Sequence, residues 1–315
     1  MNRIFFAAAF LFCVSPWASP ALALALGLAL TLTLGNPYPA ESKNAAKLLL
    51  PGCVVLLGFG MDLSAVLAAG QRGLLLAAGS IAGTLGLGYG LGRLLKISAH
   101  TSALVTVGTA ICGGSAIAAV GSVIGAAECE MTVALGTVFL LNAAALYVFP
   151  LLGHVLHLSQ TQFGTWAGIA IHDISSVVGA SARYGLPALQ TATAVKLSRA
   201  LWIVPVSLGA AFAAGRSRCC CRPSAKTPGR LQIPWFIGLF LLASVARSVV
   251  PGIAALSPLI SHIATAGLTV TLFLIGTGLS RQTLSAVGWK PLVQGMALWL
   301  VISTGSLLVI LRTVS

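Results

Sequence analysis

Residues 101–125 read TSALVTVGTAICGGSAIAAVGSVIG, with no charged side chain and a glycine pair, Gly113-Gly114, at the centre. A run this long and apolar is the length of a membrane-crossing helix, which needs about 20 residues. Each glycine in a helix interior is less favourable than alanine by about 1 kcal/mol, so the pair predicts a break at mid-depth. A break exposes backbone N–H groups at the positive end of the following half-helix, where an anion is held without a formal counter-charge. Thr109, Gly113, Gly114 and Ser115 are therefore candidate substrate-binding residues. The alternative is a continuous helix whose small residues permit close packing.

The rest of the chain has the same character. Charged residues make up 7% of 315 positions and hydrophobic residues 57%, against about 25% charged in soluble domains. Long apolar runs, rather than alternating ones, select helices over a barrel. The runs fall at 4–14, 20–34, 47–60, 73–95, 101–125, 131–153, 163–182, 187–214, 234–250, 259–280 and 290–312. The expected fold is an all-α polytopic membrane protein with ten to eleven transmembrane helices, inverted repeats and discontinuous helices. The expected organisation is one or two N-terminal spans in 1–34, a first half in 35–153, and a second half in 154–315 with a basic loop at 215–233. The first run, with WASPALA after it, also has the form of a secretory signal and its cleavage region.

Net charge is +13, and its distribution points to membrane insertion rather than nucleic acid. With the N-terminus in the cytoplasm, twelve Lys and Arg fall in inside loops and four, Arg72, Arg183, Arg247 and Arg312, in outside ones, as the positive-inside rule requires. The expected location is a bacterial inner membrane. The cysteine run Cys219-Cys220-Cys221 has no His or Asp beside it, so no metal site or cofactor is expected. No nucleophile, paired carboxylates or metal-ligand spacing suggests an enzyme.

Span 163–182, FGTWAGIAIHDISSVVGASA, carries His172 and Asp173 near its middle, with Ser175 and Ser176 beyond. Ionisable groups at the bilayer centre mark functional sites by default; the alternative for Asp173 is a buried salt bridge or the cap of a broken helix. The next span holds Lys196 and Arg199, which a three-residue spacing places on one helical face. The spans are consecutive, so the expectation is an Asp173–Lys196 ion pair beside the Gly-Gly-Ser turn, leaving Arg199 and the Gly114 and Ser115 amides for an anion. Candidate coupling ions are a proton, through His172, or sodium. A homo-oligomer is compatible with the sequence.

A gapless match between 58–75, GFGMDLSAVLAAGQRGLL, and 276–293, GTGLSRQTLSAVGWKPLV, pairs Gly58, Gly60, Ala68, Gly70 and Leu74 with Gly276, Gly278, Ala286, Gly288 and Leu292. The copies are expected to run in opposite directions, as in secondary transporters.

Five blocks, GTAICGGSAIAAV (108–120), TVFLLNAAALYVFPLLGH (137–154), FGTWAGIAIHDISSVVGA (163–180), ATAVKLSRALWIVPVSL (192–208) and KPLVQG (290–295), resemble the YeiH-like sulfate exporter family. The resemblance covers nearly the whole chain from Leu48. It implies a bacterial inner-membrane transporter with inverted repeats and crossed discontinuous helices, and export of sulfate or a related sulfur oxyanion or sulfonate. Two departures from the pattern matter. Gly121-Ser122 stand where such proteins usually have Ser-Pro, and Ile174 stands where they commonly have threonine. An anion channel and a structural membrane subunit are the rival functions.

Overall fold

The structure is a computed structural model and describes residues 2–15, 18, 20–61, 63–217, 235–278 and 288–313. Asp62, the Cys219-Cys220-Cys221 run with most of its basic loop, and 279–287 of the second repeat copy lie outside the described residues. Fourteen helices are described: α1 (Asn2–Val14), α2 (Pro20–Thr33), α3 (Pro39–Gly58), α4 (Leu63–Leu94), α5 (Ala99–Ala110), α6 (Gly114–Ile124), α7 (Glu128–Val155), α8 (Gln160–Ala170), α9 (Ile174–Tyr184), α10 (Leu186–Ala200), α11 (Ile203–Ser217), α12 (Trp235–Val249), α13 (Pro251–Thr277) and α14 (Trp289–Thr313). Among the described residues, four stretches are long and apolar enough to cross a membrane: Glu128–Val155, Leu186–Phe212, Ala255–Thr277 and Trp289–Thr313. Several shorter helices are also apolar. This is a helical membrane protein.

The expected break in 101–125 is present at 111–113, but the chain does not continue across. It turns back. A Cβ on Gly108 would meet Ile117 at 2.8 Å, and one on Gly121 would meet Leu104 at 3.4 Å, so α5 and α6 run antiparallel. Glu130, at the start of α7, accepts from the Ser98 hydroxyl at 3.0 Å, which brings the end of α6 beside the start of α5. Span 163–182 behaves likewise. It breaks at 171–173, and Tyr184 at the end of α9 stacks on Phe163 near the start of α8, centroids 3.8 Å apart. Gln160 Nε2 donates to the Tyr184 carbonyl at 2.9 Å. The reading of these two stretches as through-going spans, and of the breaks as crossed discontinuous helices, is therefore corrected. Each is a helical hairpin whose arms of eleven or twelve residues are about 17 Å long, roughly half the hydrocarbon core.

Both hairpins are anchored in the same way. Ser98 caps α5 by accepting from Thr101 N–H, and Ser159 caps α8 in a reciprocal box with Gln162; such caps satisfy N–H groups that a helix start leaves free. The helix between them, α7, runs from the base of the first hairpin to the base of the second, where Tyr184 Oη donates to Gly153 O at 3.1 Å. Near its midpoint Val138 would meet a Cβ on Gly113 at 3.3 Å. The hairpins thus enter from opposite ends of α7 and point their tips at each other.

Around this centre α10 lies parallel to α8: Cβ atoms on Gly164 and Gly168 would meet the Ala188 and Ala192 carbonyl oxygens at 2.6 and 2.9 Å. Helices α4 and α14 close another side, stitched by Gln294, whose Nε2 donates to Gly88 O, Ser102 Oγ and Thr106 Oγ1 at 3.0, 2.8 and 3.1 Å. A second group gathers on α13, with α2, α3, α12 and α1 against it; Phe6 of α1 lies 5.4 Å from the Phe273 ring. Within it α3 and α13 are antiparallel: a Cβ on Gly60 would meet Ser261 Oγ, and one on Gly267 would meet Cys53 Sγ. The helices that lead into the 58–75 and 276–293 match therefore run in opposite senses. The two groups meet where α9 packs on α2 and α13 and where α4 packs on α12, so each draws on both halves of the sequence.

Candidate functional site

The hairpin tips touch. A Cβ on Gly113, whose φ of +70° is readily adopted only by glycine, would lie 3.4 Å from Asp173 Cβ. Each tip joins the negative end of one arm to the positive end of the next, and the last carbonyls of α5 and α8 have no intrahelical donor.

Lys196 and Arg199 supply donors. The Lys196 side chain, 1% exposed, donates through Nζ to Ile171 O at 2.6 Å and to Ile111 O at 3.2 Å. One ammonium thus caps the C-terminal ends of both first arms. Arg199, 0% exposed, donates through Nη2 to Ala110 O and through Nη1 to Ser80 Oγ of α4, the latter at 2.7 Å. Its Nε has no partner among the described residues. An isolated charge this deep costs several kcal/mol; here both cations sit against helix ends of opposite polarity.

Asp173 is the N-cap of α9 and accepts from the Ser175 hydroxyl, so its carboxylate faces a positive helix end. No ion pair joins it to Lys196 or Arg199 among the described residues. The expected Asp173–Lys196 pair is corrected: the groups do gather at the tips, but each is matched to a helix end rather than to the other. The reason lies in the folding back. It delivers two carbonyl ends, and one amino end that carries a carboxylate, to the same place.

The remaining candidates divide. Gly114 opens α6 and Ser115 lies beside it, its Oγ 3.0 Å from Cys112 Sγ. Ser175 and Ser176 are buried in the first turn of α9. Thr109 is buried, its hydroxyl without a partner among the described residues. His172 is 1% exposed with neither ring nitrogen paired among the described residues, and faces Trp299 of α14 at 6.3 Å between centroids. It points toward α14, while Asp173 meets Gly113. Five contributors escape a reading of side-chain types: Ser80, Cys112 and the Ala110, Ile111 and Ile171 carbonyls.

A sequence signal for the pairing exists. Gly108, Ala110, Ile111 and Ser115 recur sixty positions on as Gly168, Ala170, Ile171 and Ser175, and the two carbonyls that share Lys196 occupy equivalent positions in this repeat. One difference matters: Gly113 stands where Asp173 stands. The N-terminus of α6 has no side-chain cap, so its positive end is the one at the tips without a fixed carboxylate.

Comparison with known proteins adds the family. The chain is 48% identical to a UPF0324 membrane protein of Bacteroides thetaiotaomicron over 296 residues, 93% of this chain and 86% of that one. It is 47% identical to a UPF0324 membrane protein of Bdellovibrio bacteriovorus over 307 residues, 97% and 93% of the two chains. One from Geobacter sulfurreducens is 44% identical over 303 residues, 96% and 94%. No solved structure matches significantly. With its family model matched over residues 6–295, the chain belongs to the membrane-protein family described as conserved hypothetical protein 698.

Proposed function

We propose that this protein is a secondary transporter, in the direction of export, of a small anion such as sulfate, a related sulfur oxyanion or a sulfonate. The observation that carries the reading is the meeting of two oppositely entering hairpins around buried Lys196 and Arg199. An anion at the Gly114 and Ser115 amides occupies the uncapped positive end of α6, beside two cations matched by a single carboxylate. Thr109, Gly113, His172, Asp173, Ser175 and Ser176 complete the surroundings of that position.

Hairpins entering from opposite faces suit alternating access, because each tip separates the site from one side of the membrane. In this reading the hairpins, carried with α4, α7, α10 and α14, rock against the group built on α13. The setting is a bacterial inner membrane with the N-terminus in the cytoplasm. The hairpins leave the positive-inside count unchanged, because the two segments whose side they alter, 125–130 and 154–162, contain no Lys or Arg.

The test is uptake and counterflow in proteoliposomes across a panel of oxyanions and sulfonates, with and without proton and sodium gradients. A carrier gives saturable counterflow. Single-channel currents would replace the carrier with a channel, and no flux of any anion would remove transport altogether.

A further inference from the structure

A groove of about 390 Å³ runs between α4 and α14, a volume within the range of small-ligand sites. Its floor includes Ser80, Ile169 and Ile302, and its mouth is formed by Gly79, Gly83 and Gly305. These three glycines are exposed, and a Cβ on any of them would meet nothing within 4 Å, so the absent side chains keep the groove open. The lining is almost entirely apolar apart from a few hydroxyls, one of which, on Ser80, accepts from the Arg199 guanidinium. The groove thus begins at the depth of the hairpin tips, next to a buried cation with an unpaired Nε.

Resting on the transport reading above, we infer that this groove receives the apolar chain of the substrate, which is an organic anion with a short hydrocarbon tail rather than a bare inorganic oxyanion. The head binds at the tips beside Ser80 and Arg199, and the tail lies along α14 over Gly83 and Gly305. Charge selects this occupant over a phospholipid. A lipid headgroup stays at the interface, about 15 Å from the bilayer centre, and uses none of the charge at Arg199. A short-chain anion uses both ends.

The experiment measures half-saturating concentrations for uptake of n-alkanesulfonates, methane- to pentanesulfonate, which stay ionised and so do not cross lipid as neutral acids. The full-length protein is compared with Gly83→Leu and Gly305→Leu, which fill the groove from open positions. The expected result is a half-saturating concentration that falls about fourfold per added methylene in the unsubstituted protein. In both variants the series is flat. Methanesulfonate uptake without chain-length dependence overturns this inference and leaves the transport reading standing, as does a gradient that both variants retain. Loss of all uptake in both variants also overturns it, because the groove then serves the whole assembly, through a lipid or a second copy. If the unsubstituted protein moves no sulfonate or sulfate, the transport reading itself fails and takes the groove with it.

Discussion

Replacing Lys196 by Met keeps the length and apolar stem of the side chain and removes the donor that joins the two tips. The Nζ bonds to Ile171 O and Ile111 O, at 2.6 and 3.2 Å, are charge-assisted, worth about 1.5–3 kcal/mol each, so the clamp contributes about 3–6 kcal/mol. Removing a buried ammonium also relieves a desolvation cost of several kcal/mol. The two effects oppose, and global stability is expected to change by less than about 3 kcal/mol. The local effect has no such offset, because both carbonyls lose their donor. If the tips open about 3 kcal/mol more readily, amide exchange there accelerates about a hundredfold. Hydrogen–deuterium exchange should show this acceleration in peptides covering both 108–117 and 168–177, while the capped bases near Ser98 and Ser159 keep their protection. Faster exchange at one tip alone, or unchanged protection at both, would refute a single ammonium clamping the pair. The companion substitution Asp173→Asn separates this account from an Asp173–Lys196 ion pair. Asparagine is as good an N-cap as aspartate, and Lys196 keeps its carbonyls, so exchange at 108–117 should stay at the unsubstituted rate.

Cys129 is exposed at the base of the first hairpin. With the other cysteines replaced by serine, an impermeant maleimide should label it from the same side as a cysteine at Ile97 and from the side opposite one at His157; labelling from the side opposite Ile97 would mean that 101–125 crosses after all. Arg199→Gln should abolish anion uptake in proteoliposomes while the protein still inserts and purifies, and wild-type uptake by this variant would discard the site. Gly113→Ala forces a side chain into φ +70°, 3.4 Å from Asp173 Cβ and 3.3 Å from Val138. It should cost about 1–3 kcal/mol, read as a lower melting temperature, and an unchanged melting temperature would mean the tip is not held in this conformation.

Composition decided that this is a membrane protein, because a chain with 7% charged residues has no other way to cover its surface, and the long apolar runs decided that it is helical. Local sequence also located the sites of interest. Gly113-Gly114 marked one break, and His172, Asp173, Lys196 and Arg199 stood out because ionisable groups are expensive in hydrocarbon. What the chain does after each break was not legible. Two eleven- or twelve-residue apolar helices separated by three residues have the same hydropathy whether the second continues across or turns back. The usual arbiter, Lys and Arg in the flanking loops, is silent at 125–130 and 154–162. The 58–75 and 276–293 match drew attention to segments outside the hairpins, while the shorter recurrence of Gly108, Ala110, Ile111 and Ser115 at Gly168, Ala170, Ile171 and Ser175 marked the hairpins themselves. The partners of Lys196 were beyond any reading of residue types, because they are backbone carbonyls that every residue carries. A lone carboxylate one span away made an ion pair the natural expectation. Only the tertiary structure, by folding both spans back and setting their ends tip to tip, presents two negative helix ends to Lys196 and leaves Asp173 on a positive one.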